Sequence, residues 1–342
     1  MALASVLTGS ALLVKPSTCF TSEIKVGFFY YVWYEAGLGN GHWNGTPPDD
    51  PTSLAWKVVD TPILGFYNSQ NTSVIKQHLE WFKELGINFL IISWWGPNSY
   101  EDNSTKIIFS VVEQDHPIEI AIMVEAYNHS GVYNFTVIYD YIHDNYALQS
   151  KYMKLNEKPL VCFFNDCNMT GNKTMQDAIH NDSRFSSKIV GHNDYVDWYA
   201  WRPCSVDREG YPDVLPRLSK DGFTCIEPRY DDSHIGRTYT FDENYSDGLY
   251  DRQWNKALEY REEGNLSIVA VYSWNEYHER SQIEPHIADG KYILSPFCKT
   301  YHYVQVIPEF SSFLILPIFM TTTLTAVIVY RRKHAIEREA NY

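Results

Sequence analysis

Two glutamates in the last third of the chain have the type and spacing that acid–base chemistry requires. Glu276 and Glu279 stand three residues apart, directly after an apolar run that ends at Trp274. Hydrolysis of a glycosidic bond needs one carboxyl group to protonate the leaving oxygen and a second to act on the other side of the sugar. Two neighbouring carboxylates repel, so one can keep its proton near neutral pH while the other stays ionised. The pattern predicts Glu276 and Glu279 as a catalytic pair for glycoside hydrolysis.

Other interpretations of this segment stay open. One of the glutamates could instead form a surface ion pair with Arg280 or Arg237. A metal site is the other alternative, although no two of its candidate ligands have the spacing of neighbouring ligands on one helix. The residues that such a site would use are His42, Asp231, His234 and His278. Because the sequence also contains no G-x-S-x-G nucleophile motif, the simplest prediction is carboxylate chemistry without a metal or another cofactor.

Aromatic and polar residues gather where the predicted strands end. Aromatic residues make up 15% of the chain, with 26 Tyr and 10 Trp. Flat rings bind the apolar faces of sugars, and polar neighbours bind the sugar hydroxyls. Packing in the core is the alternative role for these rings. The predicted substrate-binding residues are Tyr30, Tyr31, His42, Trp43, Trp94, Trp95, Glu125, Tyr127, Arg237, Trp274, Asn275 and His278, with Trp33 beside them.

Short β-rich runs alternate with amphipathic stretches, which is typical of parallel strands joined by helices. Eight strands are predicted: Lys25–Trp33, Asn88–Trp95, Ile118–Tyr127, Pro159–Asn165, Lys188–His192, Val196–Trp201, Phe223–Tyr230 and Ile268–Trp274. The helices predicted between them are Val74–Leu85, Lys106–Glu113, Asn134–Tyr146, Thr174–Asn181 and Gly248–Glu263. Thr72 or Ser73 is predicted to cap the first helix and Gly86 to end it.

Eight strands with interleaved helices favour a (β/α)8 TIM barrel over 23–295. An open doubly wound sheet would usually show a glycine-rich phosphate turn, which the sequence lacks. The fifth and sixth predicted strands leave no room for a full helix between them, so the barrel is irregular there or one strand is assigned wrongly. In such barrels the functional residues stand at the C-terminal ends of the strands.

The C-terminal part predicts a membrane anchor. Residues 310–330 form an uncharged apolar run that is long enough to cross a bilayer as one helix. The basic residues 331–333 follow at once, and the positive-inside rule then puts the tail 331–342 in the cytoplasm and the barrel outside. Residues 296–309 are predicted as a stalk. The Pro308-Glu309-Phe310 sequence resembles the start of an archaeal C-terminal surface-sorting signal.

Other features also predict an exported protein. Residues 1–22 are apolar enough for a signal remnant but lack the usual positive start, so the beginning is truncated or misassigned. N-x-[ST] triplets, the acceptor pattern for N-glycosylation, begin at Asn44, Asn71, Asn103, Asn128, Asn134, Asn168, Asn172, Asn181, Asn244 and Asn265. Among the 6 cysteines, Cys204 with Cys225 is the favoured disulfide, and free thiols are the alternative.

A longer stretch of sequence resembles one enzyme family. W-N-E-Y-H-E-R-S-Q-I-E-P resembles the N-E-W-H-E-G-T-x-I-E segment of glycoside hydrolase family 99, the endo-α-1,2-mannosidase and mannanase family with its related barrel proteins. F-Y-Y-V-W-Y with H-W-N, and then S-W-W-G, match in order upstream, so the resemblance runs from Val26 to Pro285. Tyr277 and Arg280 stand where the family usually has Trp and Gly. F-F-N-D also ends the fourth strand, where the mannosidases tend to carry tyrosines.

The resemblance implies a retaining, endo-acting mechanism in which the 2-hydroxyl of the sugar is the nucleophile. Glu276 would be the base that deprotonates this hydroxyl to give a 1,2-anhydro sugar. Glu279 would be the acid that protonates the leaving group and later activates water. The substrate-contacting positions implied are His42, Trp43, Trp94 or Trp95, Glu125 and Arg237.

The predicted partner is therefore an α-linked oligosaccharide or polysaccharide. The net charge of −14 argues against a nucleic-acid partner, because phosphate backbones are bound mainly by clustered Lys and Arg. The sequence as a whole predicts a retaining, α-mannosidase-like endoglycosidase at the cell surface. Two alternatives stay open: a barrel that only binds glycans, and an enzyme of surface polysaccharide biosynthesis.

Overall fold

The computed structural model describes residues 24–36, 41–43, 58–112, 117–126, 134–165, 173–191, 196–200, 215–235, 240–241 and 248–307. Its centre is a parallel barrel of eight strands: β1 (Lys25–Tyr30), β2 (Phe89–Trp94), β3 (Glu119–Val124), β4 (Lys158–Phe164), β5 (Ser186–Gly191), β6 (Trp198–Tyr199), β7 (Phe223–Ile226) and β8 (Ile268–Val271). Consecutive strands pair from β1 to β6, and β8 pairs with both β7 and β1.

The barrel nearly closes at the seam between β6 and β7. These strands are the two ends of the hydrogen-bonded order. The Trp198 and Phe223 rings stack across the seam with centroids 4.1 Å apart. An eight-stranded parallel barrel of this kind confirms the predicted TIM barrel.

Helices cover the outside of the barrel. In the described residues they are α1 (Thr72–Leu85), α2 (Tyr100–Val112), α3 (Phe135–Ile142), α4 (Lys173–His180), α5 (Leu249–Glu262) and α6 (Ser295–Val306). Gly86 ends α1 in the left-handed region at φ 78°, as predicted. The cap at its start is Asn71, whose side chain accepts from the Ser73 N–H over 2.9 Å. The predicted cap at Thr72 or Ser73 was wrong, because both residues already lie in the first turn.

Short elements complete the fold. They are the 3-10 turns Gly41–Trp43 and Ser233–Ile235, the π-turn His143–Ala147, and the strands Thr61–Pro62, Lys154–Leu155, Tyr230–Asp231, Thr240–Phe241, His286–Ala288 and Lys291–Ile293. Thr61–Pro62 and Lys291–Ile293 each pair antiparallel with His286–Ala288. Tyr230–Asp231 pairs with Thr240–Phe241. These short sheets hold the segments that follow β7 and β8.

Successive strand residues point alternately into the barrel and toward the helices. On β1, Phe29 and Tyr31 belong to the cluster inside the barrel. Phe28 and Tyr30 belong to the cluster between the barrel and the helices, where both rings contact Phe82 of α1. This alternation decides which of the predicted site residues can reach the mouth of the barrel.

The last described helix, α6, extends the folded domain beyond its predicted end at residue 295. α6 covers residues 296–306 of the predicted stalk 296–309, and Thr300 and Val304 are buried in the domain. The Arg261 guanidinium donates to the Val306 carbonyl over 2.7 Å. The folded domain therefore continues past the predicted boundary at residue 295, because α6 buries apolar side chains against α1 and α5.

The predicted membrane span 310–330 lies outside the described residues. Within the part of the chain that the structure describes, every helix is too short or too polar to cross a bilayer.

Candidate active site

The loop that follows β8 brings both predicted catalytic glutamates to the C-terminal end of that strand. The Glu276 N–H donates to the Ser273 hydroxyl over 2.7 Å, and the Ser281 N–H donates to the Glu276 carbonyl over 3.2 Å. The Ser273 N–H in turn donates to the Ser281 carbonyl over 3.0 Å. These bonds close the loop on itself at the end of the barrel where enzymes of this architecture build their sites.

Glu276 is the more buried of the pair, with 2% of its surface exposed. The His278 N–H donates to Glu276 Oε1 over 2.8 Å, and His278 Nδ1 lies 3.2 Å from the same oxygen. A hydrogen bond from a backbone N–H favours the ionised form of a carboxyl group. The surroundings of Glu276 therefore suit a base.

Glu279 is half-buried, and its Oε2 accepts a hydrogen bond of 2.6 Å from the Tyr272 hydroxyl. The Tyr272 hydroxyl lies 3.0 Å from that of Tyr31. Burial raises the pKa of Tyr31 well above its usual range, and the charges of Glu125, Glu276 and Glu279 raise it further. Carboxyl groups from the ends of two different strands thus surround one phenol inside the barrel.

Asn275 joins this loop to the end of β1. Its amide oxygen accepts from the Tyr31 N–H and its amide nitrogen donates to the Tyr31 carbonyl, each over 2.8 Å. The Tyr34 hydroxyl donates to the Asn275 carbonyl over 2.6 Å. Asn275 is fully buried. This predicted substrate-binding residue therefore positions the loop.

An aromatic wall, formed by Trp33, His42, Trp95 and His278, stands beside the glutamates. Trp33 stacks on His42 with ring centroids 4.2 Å apart and lies 5.8 Å from Trp95 and 5.9 Å from His278. Burial lowers the pKa of His42 to about 3, with a contribution from His278, so its imidazole is neutral near pH 7. Flat rings of this kind suit the apolar faces of sugars.

Glu125 follows β3 directly and adds a third carboxyl group. The Ser93 hydroxyl donates to Glu125 Oε1 over 2.8 Å and accepts from Trp95 Nε1 over 3.1 Å. Only 5% of the Glu125 surface is exposed. One serine thus holds a carboxylate next to a ring of the aromatic wall, an arrangement suited to binding a sugar face and its hydroxyls together.

A buried ion cluster supports the loop from behind. Asp60 accepts hydrogen bonds from Arg229, from Arg280 Nη2 over 3.1 Å and from Gln282 Nε2 over 2.7 Å. Burial alone would raise the pKa of Asp60, but the guanidinium groups of Arg229 and Arg280 bring it down to about 2. Arg280 also donates to Asp231 over 2.8 Å. The ion pairs of Arg280 within the described residues are thus with two aspartates, not with either predicted catalytic glutamate.

A second buried network ties the loop to α1. His78 Nε2 lies 3.1 Å from Glu284 Oε1, and the Tyr30 hydroxyl lies 2.8 Å from His78 Nδ1. The hydroxyls of Tyr67 and Tyr277 donate to Glu284 Oε2 over 2.9 and 3.1 Å. Tyr277, one of the departures from the family segment, therefore holds the loop at its back.

The structure divides the predicted substrate-binding residues into two groups. Those placed around the glutamates are Tyr31, His42, Trp95, Glu125 and His278. Those buried behind the site are Tyr30, Trp43, Trp94 and Trp274. Trp94 donates to Asp102 of α2 over 2.9 Å, and Trp274 packs on Phe82 of α1 with centroids 4.6 Å apart. Trp43 stacks on Tyr34 at 3.8 Å. Tyr127 and Arg237 lie outside the described residues.

Other predictions meet the structure only in part. Cys204 lies outside the described residues, so its disulfide with Cys225 stays a prediction. In the described ranges, no group of three or more His, Cys, Asp or Glu side chains is arranged to hold a metal ion. Sequence analysis missed Tyr272 and Ser93, the hydroxyls that bond Glu279 and Glu125. Both residues lie at or next to the C-terminal end of a predicted strand, and this position could have identified them.

Comparison with known proteins relates the first half of the chain to a family. Residues 23–190 match the family model "Glycosyl hydrolase family 99". A mouse glycoprotein endo-α-1,2-mannosidase is 21% identical, with a match over 75% of this chain and 66% of its own length. A human glycoprotein endo-α-1,2-mannosidase-like protein is 22% identical, over 77% of this chain and 60% of its own length. The chain thus spans less than two thirds of the length of these relatives.

Solved structures share the fold. A GH99 endo-α-mannosidase from Bacteroides thetaiotaomicron superposes with a TM-score of 0.57 at 18% identity, and the match covers 82% of this chain and 97% of that one. A second structure of such an enzyme, in complex with Bis-Tris propane, gives 0.58 at 17% identity, over 83% of this chain and 97% of that one. At these identities the likeness establishes the fold alone. The match over residues 23–190 shows a glycosyl hydrolase family 99 domain in this part of the chain, and the curated relatives show that the chain is homologous to endo-α-mannosidases.

Proposed function

We propose that this chain is a retaining, endo-acting α-glycosidase of the α-mannosidase type. The observation that carries the proposal is that one loop at the end of β8 holds Glu276 and Glu279 so close to the buried phenol of Tyr31 that the charges of both raise its pKa, next to the aromatic wall. The endo-α-1,2-mannosidases among the homologues support an α-mannoside as the substrate class.

The proposed reaction has two steps. Glu276, favoured as a carboxylate by the His278 N–H, takes the proton of the sugar 2-hydroxyl, and this oxygen attacks the anomeric carbon. Glu279 gives its proton to the departing glycosidic oxygen, which leaves a 1,2-anhydro sugar. Glu279 then takes a proton from water, whose oxygen opens the three-membered ring, and Glu276 returns its proton to the 2-oxygen. Two inversions at the anomeric carbon give net retention.

The test is incubation of the full chain with a panel of α-linked mannans and glucans. We expect the chain to release oligosaccharides from α-1,2-linked mannan. NMR of these products should show that the anomeric configuration is retained. Release of the inverted anomer would contradict the mechanism. Glycan binding without turnover, in which the wild type and Glu279→Gln behave alike, would support the binding-only barrel. Cleavage of the cell's own surface polymer alone would support a biosynthetic role.

We also propose that the barrel lies outside the cell, anchored by a helix over 310–330 with the tail 331–342 in the cytoplasm. The exposure of the N-x-[ST] asparagines in the described residues supports an outside location: Asn71, Asn103, Asn134, Asn181 and Asn265. Treatment with an N-glycan-removing enzyme should lower the mass of the native protein, and protease added to intact cells should digest the barrel. An unchanged mass together with a protected barrel would refute this location.

A further inference from the structure

Two phenols and one carboxyl group form a chain of hydrogen bonds inside the candidate site. The Tyr31 and Tyr272 hydroxyl oxygens are 3.0 Å apart, and the Tyr272 oxygen is 2.6 Å from Glu279 Oε2. Tyr31 follows β1 and Tyr272 follows β8, so the chain crosses between two adjacent strands. Both tyrosines are almost completely buried, with 4% and 1% of their surfaces exposed.

The order of donors in this chain follows from counting protons. A phenol carries one proton, so it can donate one hydrogen bond. Tyr272 uses its proton toward Glu279. The contact between the two phenols must then be donated by Tyr31 and accepted by Tyr272. All protons point toward Glu279, and aligned hydrogen bonds of this kind strengthen one another.

The phenols keep their protons over the working pH range. Burial raises the pKa of Tyr272 well above its usual value, and the charge of Glu279 adds to this effect. Other ionisable groups face the chain from the surrounding segments: Glu125 after β3, Tyr230 and Asp231 after β7, and Glu276, His278 and Arg280 in the loop itself. The carboxylates among these groups oppose ionisation of Glu279, and the phenol chain favours it.

We propose that Tyr272, backed by Tyr31, is a positioning residue that fixes the orientation of Glu279 and stabilises the charge it gains as it gives up its proton. The inference rests on the proposed function for its catalytic meaning. As Glu279 protonates the leaving oxygen, negative charge grows on the carboxyl group, and the Tyr272 donor binds it more strongly than in the ground state. Binding that increases toward the transition state raises kcat and leaves KM nearly unchanged.

The kinetic test compares Tyr272→Phe and Tyr31→Phe with Tyr152→Phe. Tyr152 is an equally buried tyrosine whose hydroxyl bonds the Leu160 carbonyl away from the site. On an α-1,2-linked mannan we expect Tyr272→Phe to lower kcat about tenfold or more, with KM changed less than about twofold. The alkaline limb of kcat/KM should rise by about one pH unit, with a smaller rise for Tyr31→Phe. A Tyr272→Phe profile that superimposes on the wild type, or an equal change in Tyr152→Phe, overturns the proposal.

A second measurement separates this proposal from the proposed function. Carbon-13 NMR of glutamate carboxyl groups follows the Glu279 titration without substrate, and Glu279→Gln assigns its signal. Tyr272→Phe should move that titration upward by about one pH unit, and Tyr152→Phe should leave it in place. An unmoved titration refutes the hydrogen-bond chain even in an active enzyme. If the Glu279 titration moves but the protein cleaves no glycan, the hydrogen bonds between the phenols and Glu279 are supported and the glycosidase function is rejected.

Discussion

Acids on the two sides of the loop after β8 have different partners. On the cleft side, Glu276 and Glu279 are bonded by a backbone N–H and a phenol. Behind the loop, Asp60 is bonded by the guanidinium groups of Arg229 and Arg280. A guanidinium keeps its charge at every working pH and holds its partner ionised, whereas an uncharged donor leaves a carboxyl group able to exchange a proton. The partner, more than burial, thus separates an acid suited to chemistry from one that stabilises the fold.

The largest effect should come from the cleft side. Glu276→Gln removes the proposed base, so we expect kcat/KM to fall about 10⁴-fold, equivalent to about 5.5 kcal/mol. The free energy of unfolding should change by less than about 1 kcal/mol, since the amide oxygen of the new side chain can still accept from the His278 N–H. The exposed Glu259→Gln is the control for both measurements. Activity retained in Glu276→Gln would place this residue with Asp60 among the structural acids.

The ion cluster should show the reverse behaviour in stability. Asp60→Asn leaves the Arg229 charge buried without its full counter-charge, so unfolding in urea should become easier by about 4 kcal/mol. Asp251→Asn breaks the partly exposed pair with Lys299 and should cost less than about 1 kcal/mol. If both variants lose the same free energy of unfolding, the buried cluster stabilises the fold no more than a surface ion pair does.

One buried histidine in the cluster gives a pH dependence of known sign. Burial lowers the pKa of His286 to about 4, against 6.5 when exposed. Between these values the unfolded chain binds the extra proton, so the stability from His286 is complete above pH 6.5 and is lost as the pH falls toward 4. From pH 6.5 to 5 this loss is about 2 kcal/mol. His286→Gln should therefore lose about 2 kcal/mol less over that range. An unchanged slope would mean that His286 is as accessible to protons as in the unfolded chain.

The smallest effect sharpens the comparison within one strand. Trp95→Ala removes a ring of the aromatic wall and should weaken the binding of an α-mannan fragment about tenfold, or about 1.4 kcal/mol. Trp94→Phe should leave that affinity unchanged and lower the melting temperature, because the Trp94 indole bonds Asp102 under α2. Calorimetric titration and thermal unfolding measure the two effects. A loss of affinity in Trp94→Phe would contradict the assigned strand faces.

The barrel could be predicted because its signals are local. Apolar runs and helical periodicity gave all eight strands, but β1 was expected to reach Trp33 and ends at Tyr30. Beyond Tyr30 the Tyr31 backbone bonds the Asn275 side chain, 244 residues away. α6 was missed because it is stabilised by contacts with α1 and α5, and these contacts cannot be recognised from the sequence of α6 alone.

The candidate site was predictable in its residue types and less so in its contacts. The Glu276 and Glu279 spacing is visible in the sequence, and so is the Trp94-Trp95 pair. The choice between these tryptophans needs the strand register, which places Trp94 against the helices. The support is less predictable still, since Asp60 bonds Arg229 across 169 residues. Long-range ion pairs of this kind leave no periodic trace.

The direction of α6 determines how the domain meets whatever its C-terminus is attached to. Near its start, Phe297 lies against Trp274, just before the glutamates, with ring centroids 6.4 Å apart. The helix finishes beside Gly86 and Arg261, where α1 and α5 also finish. Residue 307 therefore lies at the face of the barrel opposite the cleft. A support coupled through residue 307, whether a bilayer, a resin or a fused protein, therefore leaves the cleft turned away from that support.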